Sequence, residues 1–146
     1  MPKTRRTRTI GAPLEEVWAL VSDPHHLPRW WPRVVRVEAV EGGAFTEVMR
    51  GAKGRDVRAD FELVQADGEA GRIVWSQRLE GSAFARLLSS AETEVRLEGT
   101  EGGTGVTIEL RQALRGFFPR VGSLLVRRAA GATIEEALDG LERIVG

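Results

Sequence analysis

The chain has no cysteine among its 146 residues, so it can build neither a disulfide framework nor a thiol nucleophile. No apolar run approaches the roughly 18 residues that a bilayer-spanning helix needs, and the opening Met1-Pro2-Lys3-Thr4-Arg5-Arg6 lacks an apolar signal region. Net charge is missing too: 21 basic residues balance 21 acidic ones, and no global field steers the protein toward nucleic acid or an acidic membrane. Histidine is reduced to His25 and His26, adjacent to each other and close to Ser22 and Asp23, which makes no hydrolytic triad and falls short of a zinc set. The segment Glu101-Gly102-Gly103-Thr104-Gly105 joins two strand patterns, whereas a phosphate loop has to open a helix. No catalytic residue, metal or cofactor is assigned on this basis. The expectation is a cytoplasmic protein with no nucleic-acid partner and no membrane insertion.

What is present is pattern. A chain of this length buries roughly two-thirds of its unfolded surface, enough for a core that also holds a cavity, and residues 1–146 read as one domain. Residues 3–10 alternate in the manner of a strand, with their basic side chains assigned to a solvated face. Gly11-Ala12-Pro13 stops that strand and starts a helix with Glu15 and Glu16 in its first turn, where the helix dipole favours them. Asp23-Pro24 closes this helix and caps a second, short one, on which Leu27, Trp30 and Trp31 share a face and which Pro32 ends.

From Arg33 the period changes from 3.6 to 2. Val35, Val37 and Ala39 alternate with Arg36 and Glu38, and residues 45–50 form another strand. Val57, Ala59, Phe61 and Leu63 alternate strictly with charged neighbours; Ile73, Trp75, Gln77 and Leu79, then Thr93, Val95 and Leu97, then Val106, Ile108 and Leu110 continue the period of two. Glycine turns link them. Six consecutive strands so joined make an antiparallel meander, and its single wet face means that the other face is covered. The irregular insertion at residues 81–90 carries Phe84, Leu87 and Leu88, which fits either a short helix packed on the rim or a lid over a cavity mouth.

The cover is the last stretch, residues 117–145, read as one helix roughly 40 Å long with Pro119 in its first turn. Ile134, Leu138, Leu141 and Val145 give its second half a clean buried stripe. Carried backwards, the stripe meets Gly131, Ala130, Arg127 and Ser123, while Val121, Leu124 and Leu125 turn to the other side. Either Gly131 bends the helix, or something other than side chains fills the space beside this small, polar stretch. On a straight helix Arg127 points at the sheet and needs an acidic partner, which a ligand acid or enolate would supply; on a bent one it is solvated.

The fold class is therefore α+β: a curved seven-stranded antiparallel sheet, with two short helices after its first strand, wrapped around a long C-terminal helix. Ala12-Pro13, Glu16-Val17-Trp18, Ser22-Asp23-Pro24, Leu27, Arg29-Trp30-Trp31-Pro32 and Val37, followed by the meander and the final helix, resemble the helix-grip superfamily. That superfamily includes the START lipid-transfer domains, the birch-pollen-allergen-like proteins and the bacterial polyketide cyclase/dehydrase-like (SRPBCC) proteins, to which the chain is most similar. The resemblance implies an elongated pocket between sheet and terminal helix for a hydrophobic or aromatic small molecule.

Candidate ligand-binding residues are Trp30, Phe61, Trp75, Gln77, Thr93, Ile108, Arg127 and Gly131. Gln77 and Thr93 stand at inward positions that are otherwise apolar, so each needs a partner: a ligand, a backbone group or water. The family hosts several functions, and three readings stand. One is a binding protein for a lipid or polyketide-like molecule. Another is a cofactor-independent cyclase or dehydratase. The third is a homodimeric module that uses Val121, Leu124 and Leu125.

Overall fold

The computed structural model describes residues 3–51, 53–116 and 120–146. Strand β1 (Lys3–Ile10) leads into helix α1 (Leu14–Val21), a 3-10 turn at Pro24–His26 and the one-turn helix α2 (Leu27–Trp30). Strands β2 (Val34–Glu41), β3 (Ala44–Arg50), β4 (Asp56–Asp67), β5 (Arg72–Arg78), β6 (Leu88–Thr100) and β7 (Gly103–Leu114) follow, and helix α3 (Arg120–Val145) comes last. Residues 117–119, expected as the first turn of that helix, lie outside the described residues. None of the described helices is long and apolar enough to cross a membrane.

All seven strands form one antiparallel sheet in the order β1-β7-β6-β5-β4-β3-β2. The helices start where the local chemistry allows. Pro13 precedes α1 in an extended conformation, Glu15 and Glu16 fill its first turn, and Asp23 accepts the His25 backbone N–H at 3.0 Å to cap the 3-10 turn.

The core lies on the concave face, where Val95, Val106 and Ile108 pack with Ile134, Leu138 and Leu141 of α3. α3 runs along β1 and β7 and against the two short helices. The middle of the sheet is thus not covered by the clean part of its stripe. On the convex face a charged lattice covers the strands. The Glu94 carboxylate receives Arg72, Arg96 and Arg111, each at 2.9 Å, and the two hydrogen-bonding guanidiniums, Arg72 first, hold its pKa down at about 2.

Two local expectations change. Breaks in register between Val34 and Arg36 and between Glu38 and Glu41 shift the side-chain parity of β2, so Val34 is buried and Val35 is exposed. The basic residues of β1 do not all face water either. Arg8 points toward α3 and binds Glu135 at 2.7 Å, Asp139 at 2.5 Å and Glu142 at 3.2 Å, one acidic side chain per helical turn.

Candidate functional site

Where α3 leaves the middle of the sheet uncovered, a cavity of about 340 Å³ opens. Its floor is the concave face of strands β3 to β7, its wall is the first half of α3 through Val126, Ala129, Ala130 and Thr133, and its rim is Phe84, Leu87 and Leu88. The inward parity of the strands decides which side chains enter. Phe45 pairs with Phe61 and Phe61 with Gln77, while Trp75 pairs with Thr93 and Thr93 with Leu110, so each row crosses the sheet on one face. Phe61, Trp75, Gln77 and Thr93 all line the cavity. Edge-on contacts tie Trp31 to Trp75 at 6.3 Å and Trp75 to Phe45 at 6.5 Å, and Phe45 stacks on Phe61 at 5.3 Å. Beyond Trp75 and Phe45 lies a second, apolar chamber of about 170 Å³, bounded by Val21, Leu27, Val40 and Ile73.

The other candidates sit elsewhere. Ile108 is fully buried in the core beneath α3 and does not reach the cavity. Trp30 is also core, edge-on to Trp31 at 5.4 Å. α2 ends at Trp30 and the next residue is extended, so it is the Trp31 ring that swings into the cavity. Gly131 lies under the Arg6 side chain, whose guanidinium would stand 2.8 Å from an added Cβ, and it is not among the residues that line the cavity.

Arg127 is exposed, and the expectation that it meets the sheet or a ligand acid does not hold. Yet α3 is an unbroken helix through Gly131. The reason is lateral offset. The side of α3 that carries Gly131 rests on Thr4 and Arg6 near the start of β1, so one turn earlier that side has passed beyond the described strand. The cavity is bounded by the neighbouring side, through Val126, Ala129 and Thr133. Leu124 and Leu125 are exposed at 57% and 59%, and the side chain of Val121 is outside those described.

The residue that sequence reasoning passed over is Glu47. It is only 2% exposed and lines the cavity from the middle of β3. Its neighbours on the same face are Val37 across β2, Ala59 across β4, and Phe45 and Met49 along its own strand. No described cation or hydrogen-bond donor meets it, and burial alone pushes its carboxyl up to about 8. The signal was in the alternation: Phe45, Glu47 and Met49 share one parity, and Phe45 and Met49 fix that parity as inward. Gln77 adds a second unmatched group, since its Nε2 is buried with no hydrogen-bond partner among the described residues. A predominantly apolar chamber thus presents a carboxyl, an amide and the Thr93 hydroxyl, with no described cation in its lining.

Among curated proteins none matches this sequence significantly. Solved structures do share its fold. TTHA0849 from Thermus thermophilus is 28% identical with a TM-score of 0.73, over 97% of this chain and 95% of that one. A START superfamily protein from Mycobacterium smegmatis is 16% identical with a TM-score of 0.78, over 98% of this chain and 96% of that one. BexL, a di-domain ARO/CYC from the BE-7585A biosynthetic pathway, is 22% identical with a TM-score of 0.81, and the match covers 98% of this chain and 46% of that one. Residues 1–146 match the family described as polyketide cyclase / dehydrase and lipid transport, and the chain belongs to that family.

Proposed function

We propose that the chain binds a hydrophobic or aromatic small molecule in the cavity between the sheet and α3. The observation that carries this reading is a chamber of about 340 Å³ whose apolar wall contains the Gln77 amide and the buried Glu47 carboxyl, neither matched by a partner among the described residues. Chambers of this kind are where small ligands bind, and a buried amide donor without an acceptor is costly unless something else supplies one. By volume it suits about two fused rings, since a dry cavity of roughly 150 Å³ accommodates a single benzene.

The test is native mass spectrometry of freshly purified protein, set against its denatured mass. A small-molecule adduct that is lost on denaturation is the expected result. A bare protein that also gains no thermal stability from a panel of lipids and aromatic polyketides would overturn the reading.

Glu47 favours a second reading, a cyclase or dehydratase acting in the same chamber. A carboxylic acid kept neutral by an apolar site is a competent proton donor to a ligand carbonyl. Turnover of an aromatic polyketide precursor that disappears in Glu47→Gln, with ligand binding retained, is the outcome that separates enzyme from carrier.

A further inference from the structure

The cavity's polar groups bear on what kind of molecule it takes. Glu47 and Gln77 do not touch one another's row: Glu47 pairs with Ala59, and Gln77 pairs with Phe61 two residues further along β4. Two strand spacings of about 4.8 Å and one inward step of about 6.8 Å put their Cα atoms roughly 12 Å apart. Both side chains enter the chamber from separate strands, so a ligand that meets both has to span that separation less the reach of the two side chains. Phe61 and Trp75 supply flat apolar surface between and beside them.

Charge decides the rest. Only one other ionisable residue lines the cavity among those described, Glu92, and its carboxylate is engaged by Arg111 at 3.2 Å. The elements packed around Glu47 face it with Val37 from β2, Ala59 and Phe61 from β4, and Phe45 and Met49 from its own strand, none of which titrates. Further across the chamber, the residues facing it from β5, β6, β7 and α3 include Gln77, Thr93, Gln112 and Thr133, all neutral. An anionic ligand would enter a desolvated site without a counter-ion, at the large cost that burying an unpaired charge carries.

We infer that the chamber selects an uncharged, oxygenated fused-ring aromatic, held at two separate points by the Glu47 carboxyl and the Gln77 amide, and that it rejects aromatic carboxylates. This rests on the cavity being a ligand site, as proposed above. The neutral carboxyl donates its O–H to a carbonyl or accepts from a hydroxyl, while Gln77 Nε2 donates to the second oxygen or to the ring face. Burial keeps Glu47 protonated until about pH 8, so the donor is present at neutral pH and is lost above it.

Two probes of similar size, one neutral and one anionic, test this: 2-acetylnaphthalene and 2-naphthoate, titrated by calorimetry into the wild type, Glu47→Gln and Gln77→Leu. Circular dichroism confirms that each variant is folded. At pH 6.5 the ketone binds the wild type at least about tenfold more tightly than the carboxylate. At pH 9.5 its affinity for the wild type falls about tenfold, the worth of one good hydrogen bond. In Glu47→Gln, whose amide still donates, the fall is absent; in Gln77→Leu the ketone is weaker at both pH values and the fall persists. Equal binding of ketone and carboxylate, or the same pH profile in Glu47→Gln as in the wild type, would overturn the inference and leave the cavity as a ligand site of other chemistry. Binding of neither probe by any folded form would remove the ligand-site reading and this inference together.

Discussion

A carboxyl that burial alone has lifted to about 8 stores a pH dependence of stability with an uncommon sign. The unfolded chain returns Glu47 to its ordinary value of 4.5, so between that pH and about 8 the folded state holds the extra proton. Stability is therefore full below 4.5 and declines as pH rises, with a slope on the order of 1.4 kcal/mol per pH unit while the two states differ by one proton. Glu94 acts in the opposite direction: its arginine partners hold it at about 2, so its contribution is present above the ordinary carboxylate range and is lost on acidification toward that value. Urea unfolding across pH 3 to 9 is expected to show a maximum near pH 4.5 to 5, and Glu47→Gln is expected to flatten the alkaline side. An unchanged alkaline slope in that variant would mean that Glu47 is already ionised in the native protein. At this scale the sequence was partly legible. Alternation alone placed Phe61, Trp75, Gln77 and Thr93 on the inward face, and the same alternation places Glu47 there. Composition argues against an inward acid, because a carboxylate is almost never fully buried without a partner. That habit hides Glu47.

For the elements, α3 meets β1 through charge. Glu135, Asp139 and Glu142 lie along one edge of the helix, and the Arg8 guanidinium collects all three. Arg8→Ala is expected to cost about 1–2 kcal/mol in chemical unfolding, with the difference shrinking in high salt, because the pairs are only partly buried. Gly131 and Gly140 of α3 both face neighbouring elements and behave differently. A Cβ on Gly140 would collide with the Trp30 carbonyl oxygen, rigid backbone that cannot yield, whereas one on Gly131 meets the movable end of Arg6. Gly140→Ala is expected to destabilise by about 2 kcal/mol or more, and Gly131→Ala to be neutral or to gain up to about 1 kcal/mol from helix propensity, both read by denaturant titration. The stripe Ile134, Leu138 and Leu141 showed from spacing alone that this half of the helix is core. Spacing gives angles around an axis and not where the axis lies over the sheet, which is why Arg127 looked inward and stands in water.

For the whole molecule, the sheet of seven strands and its long final helix follow from the order of periodicities, because short glycine turns leave a meander no other arrangement. The cavity's division into two does not follow from any pattern, since it depends on where the Trp75 and Phe45 rings come to rest. Trp75 borders both chambers, of about 340 and 170 Å³. Trp75→Phe is expected to join them, at a cost of about 2 kcal/mol, and to admit a three-ring ketone such as 2-acetylanthracene that the wild type excludes, as calorimetry would show. The strand order carries a consequence for synthesis. β1 is made first, yet its partner is β7, with Lys3 opposite Arg111 and Ile10 opposite Thr104. β2 to β6 each pair with a strand adjacent in sequence, whereas β1 has no partner until β7 (Gly103–Leu114) has been made. The alternating threonines and arginines of β1 keep a waiting strand in solution, where a run of valines and isoleucines would seek another edge. On the same strand Thr4, Arg6 and Arg8 face α3, so β1 is held by β7 and α3, both distant in sequence, and not by its sequence neighbours.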